Sequence, residues 1–208
     1  MALFKNKYRV ESIRLKGFDY SSAGEYFVTI DTKAMVEWFG TVRDGRMILN
    51  EAGKIAHQLW LDIPANHANV VLDDFVVMPN HVHGIIGLTE VGTNRRVVCR
   101  DEQIDVVCRD VINHVSTEKS SKQHGGATRQ HNPMFSQHSL SFIVRSYKGR
   151  VSYEIHKEHP DFAWQARFHD RIIRDEKELN RIREYIRDNP GRWEEMRGSG
   201  SAFEDWMD

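Results

Sequence analysis

Two spacings of apolar residues alternate along the chain. Residues 24 to 31 (Gly-Glu-Tyr-Phe-Val-Thr-Ile-Asp) are rich in aromatic and β-branched side chains and predict a first strand. Met47-Ile48-Leu49, just after Asp44-Gly45, predicts a short strand or extended segment. From Asn50 or Glu51 to Asp62 the period becomes helical, with Ile55, Leu59 and Trp60 recurring and Pro64 closing the segment. Residues 68 to 78 predict another strand. Pro79-Asn80 breaks it, and a second apolar run follows to Leu88, so the two runs are expected to pair as an antiparallel hairpin. Leu140, Ile143, Val144, Tyr147, Val151 and Ile155 form a stripe that predicts an amphipathic helix from Ser139. Ile172-Ile173 reads as a last strand. Asp175, with Glu178 three residues on, opens a capping-box-like pattern for a helix with Leu179, Ile182 and Ile186 inward. Asp188 is its expected last residue, before Asn189-Pro190.

Between Leu88 and about Gln137 this patterning stops. The stretch is polar and holds a near-repeat, Val97-Val98-Cys99-Arg100-Asp101 and Val106-Val107-Cys108-Arg109-Asp110. The expectation is one domain over 1–208 with a flexible insertion at about 90–137. Cys99 and Cys108 can pair or join His114 on a metal; two surface thiols in a reducing compartment is the simpler reading. His124, His131 and His138 read as solvated.

Composition narrows the function. The chain has 208 residues, 40% of them hydrophobic, and five Trp, enough for a real core. The formal charge is −1, so any nucleic-acid partner needs a local patch rather than a global basic field. Residues 5 to 17 are basic and read as a solvated lead-in or a backbone-contacting arm. No apolar run is long enough to cross a bilayer, and the N-terminus lacks a signal-peptide stretch, so no membrane partner and a cytoplasmic location are expected.

The densest chemistry follows the Pro-Asn break, at His81-Val82-His83. On a strand, residues i and i+2 share a face about 6.6 Å apart, so both imidazoles can converge on one metal ion. Two polar residues at an exposed strand start is the plainer alternative. Arg145, Lys148 and Arg150 surround the Ser139 helix stripe, and Arg167, Arg171 and Arg174 lie among aromatics; all are candidates for holding phosphates. Tyr185 and Asn189 are four apart and share one helix face, with Arg181, Arg183 and Arg187 nearby.

Taken in order, Met78-Pro79-Asn80-His81-Val82-His83, Trp164-Gln165, Arg167-Phe168, Ile173-Arg174, Tyr185-Ile186 and Asn189-Pro190 resemble a REP-associated tyrosine transposase, of the single-tyrosine HUH transposase superfamily. The Phe27-Val28-Thr29 strand matches too, and the resemblance spans roughly 14–89 and 138–193. It implies an α+β fold: an antiparallel sheet flanked by helices, in the ferredoxin-like order of HUH nucleases. It implies His81, His83 and Asn189 as metal ligands and Tyr185 as the catalytic tyrosine, with Arg187 among the DNA-binding residues. The implied activity is a metal-dependent transposase and endonuclease that cleaves and rejoins single-stranded, hairpin-flanked DNA through a 5′-phosphotyrosine intermediate. Mg²⁺ or Mn²⁺ is the cofactor implied, and the chain would act as a monomer or homodimer. Tyr147 and Tyr153 are rival nucleophiles by chemistry alone. A non-catalytic module binding hairpin DNA or RNA is the alternative function, and a replication initiator or relaxase of the wider HUH class ranks below it.

Overall fold

The computed structural model describes residues 18–90 and 138–199; the basic arm at 5 to 17 and nearly all of the 90–137 insertion, with Cys99, Cys108, His114, His124 and His131, lie outside them. In chain order the elements are β1 (Gly24–Asp31), β2 (Gly40–Arg43), β3 (Arg46–Leu49), α1 (Glu51–Leu61), α2 (Ile63–Asn66), β4 (Val70–Val77), β5 (His81–Leu88), α3 (Leu140–Ile155), β6 (His169–Ile173) and α4 (Glu176–Ser199).

Four strands make one antiparallel sheet in the order β4-β5-β1-β6. With α1 joining β1 to β4 and α3 joining β5 to β6, this is the ferredoxin-like βαββαβ order expected from the sequence. Two additions matter for the site. The β2–β3 hairpin is inserted between β1 and α1, closed by Asp44-Gly45, both at positive φ. That is the geometry an Asp-Gly hairpin turn favours. The second addition, α4, follows the last strand.

The sheet is covered on both faces. Tyr26, Val28, Ile30, Leu72, Val82 and Ile86 point to one side and pack with Trp60 of α1 and Leu140, Ile143, Val144, Tyr147 and Val151 of α3. Phe27, Val76, Ile85 and Ile173 point to the other and pack with Leu179, Ile182, Ile186 and Trp193 of α4. The pleat thus sends Val82 to the α1/α3 face while His81 and His83 share the α4 face. Caps set the helix starts. Asn50 Oδ1 accepts from Gly53 N at 2.9 Å, Ser139 Oγ from Phe142 N at 3.3 Å, and Asp175 Oδ1 from Glu178 N at 2.8 Å.

The largest boundary difference from expectation is at the end of the last helix, beside smaller ones: β6 starts at His169 rather than Ile172, and Pro64 lies in the first turn of α2. The final helix does not stop at Asp188 but runs through Pro190 to Ser199. Proline costs one intrahelical bond, yet its fixed φ is compatible with a helix. Packing beyond it holds the turn together: Trp193 is buried in the α4-side core, and Glu194 Oε2 accepts from Gly45 N at 2.8 Å.

Candidate functional site

Pro79 and Asn80 make a two-residue turn between β4 and β5, with Met78 N donating to His81 O at 2.8 Å. This tight reversal places His81 at the start of β5, directly opposite Asp31 of β1, with His83 opposite Thr29. Both histidines are almost fully buried (0% and 2% exposed), and their ring centroids are 4.4 Å apart. The four residues picked from sequence as metal ligands and nucleophile meet here. Tyr185 Oη lies 3.3 Å from His83 Nε2, and the amide of Asn189, one turn further along α4, lies near enough to favour the charged forms of both His81 and Tyr185. Phe27 stacks on His83 at 5.4 Å and meets the Tyr185 ring edge-on at 6.1 Å. Trp193 closes the far side, 5.8 Å from His81.

Three groups that hold this cluster are not among the site residues named from the sequence. His81 Nδ1 is 2.7 Å from Asn80 Oδ1, while Asn80 Nδ2 donates to Met35 O at 3.2 Å. With the amide nitrogen so committed, Asn80 Oδ1 accepts a proton from His81 Nδ1. Thr29 Oγ1 sits 2.9 Å from His83 Nδ1. Arg192 carries its guanidinium 5.7 Å over the Tyr185 ring. Asn80 is the chain neighbour of His81, whereas Thr29 depends on strand register and Arg192 on the helix continuing past Pro190, neither of which a short window of sequence reveals.

Burial decides the protonation states. It lowers the His81 imidazole to about 3 against the favourable Asn189 amide. It holds His83 well below its ordinary value, with the His81 charge adding to the effect. Both rings are therefore neutral at pH 7, with lone pairs to offer. Burial also raises the Tyr185 phenol, opposed by the Asn189 amide and the Arg192 charge. Asp31, 7% exposed, is raised by burial, with His169 and Lys148 opposing.

These donors suit a divalent cation. Each Nδ1 is engaged by an oxygen of the protein, the arrangement that fixes ligating histidines and leaves Nε2 as the donor. Both Nε2 atoms serve the α4 face, where Asn189 adds an amide oxygen. The set is lean: among the described residues no three His, Cys, Asp or Glu side chains are grouped as a metal site.

The basic candidates are not gathered here. Arg145, Lys148 and Arg150 are on α3, across the sheet from Tyr185. Arg145 lies over Phe142, and Arg150 faces Asp62 at 3.5 Å. Lys148 Nζ donates to Gln165 O at 2.6 Å. Arg171 pairs with Glu178 at 2.7 Å and Arg187 with Asp74 at 2.8 Å. The side chains of Arg167 and Arg174 are exposed. Of the rival tyrosines, Tyr147 is core, its Oη donating to Ala56 O at 3.1 Å, and Tyr153 is an exposed residue of α3.

No family model matches the chain. Its sequence is 35% identical over 185 residues to an uncharacterized protein of Haemophilus influenzae, an alignment covering 88% of this chain and 89% of that protein. Among solved structures it is similar to a REP-associated tyrosine transposase bound to a REP hairpin (TM-score 0.46, 15% identity, 98% of this chain and 92% of that one). It is also similar to a nominal transposase of Deinococcus radiodurans (TM-score 0.40, 16% identity, 83% and 95% covered). No helix among the described residues is long and apolar enough to cross a membrane.

Proposed function

For a chain that belongs to the same family as the Haemophilus influenzae protein, we propose a single-tyrosine transposase activity: metal-dependent cleavage and rejoining of single-stranded DNA beside a hairpin. The observation that carries this reading is the placement of Tyr185 Oη 3.3 Å from His83 Nε2, beside His81 and Asn189. A non-catalytic binder of hairpin DNA or RNA has no need of a half-buried phenol held against a neutral imidazole beside a second one and an amide.

In this reading Tyr185 Oη attacks the phosphorus of a phosphodiester and the bond to the 3′ oxygen breaks. A 5′-phosphotyrosine forms, and the tyrosine's proton ends on the released 3′-hydroxyl. Attack by a 3′-hydroxyl on the same phosphorus reverses the step, so strand transfer needs no external energy source. His81, His83 and Asn189 are the residues that would hold Mg²⁺ or Mn²⁺. Bound there, the ion would polarise the phosphate and stabilise its developing charge. Before DNA arrives, burial keeps the phenol protonated, while Asn189 and Arg192 favour the phenolate. Arg192, whose guanidinium lies 5.7 Å over the Tyr185 ring and 3.7 Å from the Asp188 carboxylate, is the cation beside the phenol that would meet the phosphate. Phe27 holds the His83 and Tyr185 rings in mutual register.

The test is a covalent-adduct gel with labelled single-stranded hairpin DNA from the protein's own genomic flanks, plus Mn²⁺ or Mg²⁺. A denaturation-resistant shift that disappears with EDTA and in Tyr185→Phe is expected. Retention of the hairpin on a native gel without any adduct would favour the binding module instead. An adduct persisting in Tyr185→Phe would rule out Tyr185 as the nucleophile.

A further inference from the structure

Two acidic residues of β4 hold α4 from the side opposite the tyrosine. The β4–β5 register shifts between Leu72 and Phe75, where three steps along β4 match two along β5, a β-bulge. The bulge turns the carboxylates of both Asp73 and Asp74 toward α4. Arg183 grips Asp73 with two nitrogens, Nε to Oδ1 at 3.0 Å and Nη2 to Oδ2 at 2.6 Å, and Asp74 N donates to Asp73 Oδ1 at 2.7 Å. Arg187 Nε lies 2.8 Å from Oδ2 of Asp74, whose side chain is 6% exposed.

Positions 183 and 187 are one turn apart and share a helix flank. At about 100° per residue, Tyr185 falls on the other flank, and the buried stripe of Leu179, Ile182 and Ile186 lies between. The helix therefore rests on the sheet along its apolar stripe, with ionic contacts on one side and the Tyr185–His83 contact on the other. Apolar packing alone leaves rotation about such a stripe soft, whereas the two-point, hydrogen-bonded Arg183–Asp73 pair, with the Arg187–Asp74 charge contact beside it, does not.

We propose that Asp73 and Asp74, through Arg183 and Arg187, are positioning residues that set the roll of α4 and so deliver Tyr185 to His83. These arginines then serve the protein's own geometry rather than a DNA backbone. The lever is favourable: the phenolic oxygen lies far outside the 2.3 Å radius of the Cα cylinder, so a few degrees of roll move it by a large part of an ångström. Displacements of about 1 Å at a reacting group cost on the order of 100-fold in rate. Burial raises the Asp74 carboxyl against the pull of Arg187.

This inference refines the transposase reading, and its test has one arm independent of that reading. The protein is labelled uniformly with 3-fluorotyrosine, and the Tyr185 ¹⁹F resonance is identified by its loss in Tyr185→Phe. Asp73→Asn and Asp74→Asn are expected to shift or broaden that resonance, and the charge-exchanged pair Asp73→Arg with Arg183→Asp to return it toward its original position. Ile143→Val, a core truncation on the far face, is expected to lower Tm and leave the resonance in place. An unmoved resonance in both Asn variants overturns the proposal whether or not the protein cuts DNA. In single-turnover adduct formation at saturating hairpin DNA, the Asn variants are expected to lose about 10- to 100-fold in rate with DNA Kd within about two-fold. A loss confined to Kd, with a weaker salt dependence, would make the arginines DNA contacts and also overturn it. A blank wild-type lane would count against the nuclease reading alone, and the ¹⁹F arm would still decide the positioning role.

Discussion

Gly84 separates His83 from Ile85 on β5 and connects the core on one face of the sheet to the site on the other. A Cβ added there would stand 2.3 Å from Trp60 Cζ2, 2.9 Å from Trp60 Cη2 and 3.0 Å from Phe75 Cβ. Comfortable carbon separations are about 3.5–4.0 Å, so Gly84→Ala requires movement of more than an ångström. Trp60 has nowhere to retreat: it is fully buried, with Phe75 stacked at 5.7 Å and Tyr147 edge-on at 5.2 Å. Relief must come from β5 itself, which can shift only toward α4 and carries His83 with it. Overpacking of this kind costs about 1–3 kcal/mol. At about 2–4 °C per kcal/mol for a chain of this size, Tm should fall by roughly 2–12 °C. Thermal unfolding followed by circular dichroism measures it. The partner variant is Trp60→Phe, which deletes no hydrogen bond because Trp60 Nε1 has no acceptor among the described residues. If the clash is the cause, the double variant is less destabilised than the sum of the singles by about 0.5–3 kcal/mol. Strict additivity, or an unchanged Tm in Gly84→Ala, would refute the argument.

Three further outcomes are expected. Gly149, on the exposed side of α3 with open space at its Cβ position, should accept alanine with a gain of about 0.5–1 kcal/mol, read from urea unfolding midpoints; a loss there would contradict the description of α3. Thr29→Val removes the oxygen at His83 Nδ1 and should weaken Mn²⁺ binding about 10- to 100-fold by calorimetry, whereas unchanged affinity would argue against His83 as a ligand. Burial works against the Asp73 charge, but the Arg183 bonds, the Asp74 amide and the Arg183 and Arg187 charges outweigh it and hold the carboxyl below its usual value of 3.8. A depressed folded value gives stability that is full above 3.8 and lost as pH falls through the folded value. Asp73→Asn should accordingly flatten the acid limb of the stability profile below about pH 4; an unaltered limb would show that the pair contributes nothing there.

Much of the frame was legible because it rests on local rules. The first strand ends where the β-branched run ends, at Asp31, and Asn50, Ser139 and Asp175 cap the helices they precede. The convergence of His81 and His83 follows from a period of two, and the shared face of Tyr185 and Asn189 from a period near four. What was not legible depends on distant packing. β2 was missed because Gly40–Arg43 is short and mixed in character, although Asp44-Gly45 signals its turn. Pro190 was given more weight than the burial of Trp193 behind it allows. The acidic partners of three of the arginines were not legible, because charge says nothing of partners. Asp62, Asp74 and Glu178 engage Arg150, Arg187 and Arg171; packing of α3 beside α1 brings the first within reach, the β4 bulge the second, and the turn from β6 into α4 the third.

The same bulge bears on solubility. Among the described residues β4 pairs with β5 alone, so its other side offers unpaired backbone groups at the margin of the sheet. A regular, uncharged margin of this kind invites a strand from another molecule. An irregular step carrying two adjacent carboxylates interrupts the ladder a visiting strand would need. On this account the bulge, with both carboxylates drawn in toward the arginines of α4, also makes β4 a poor template for a strand from another copy of the chain.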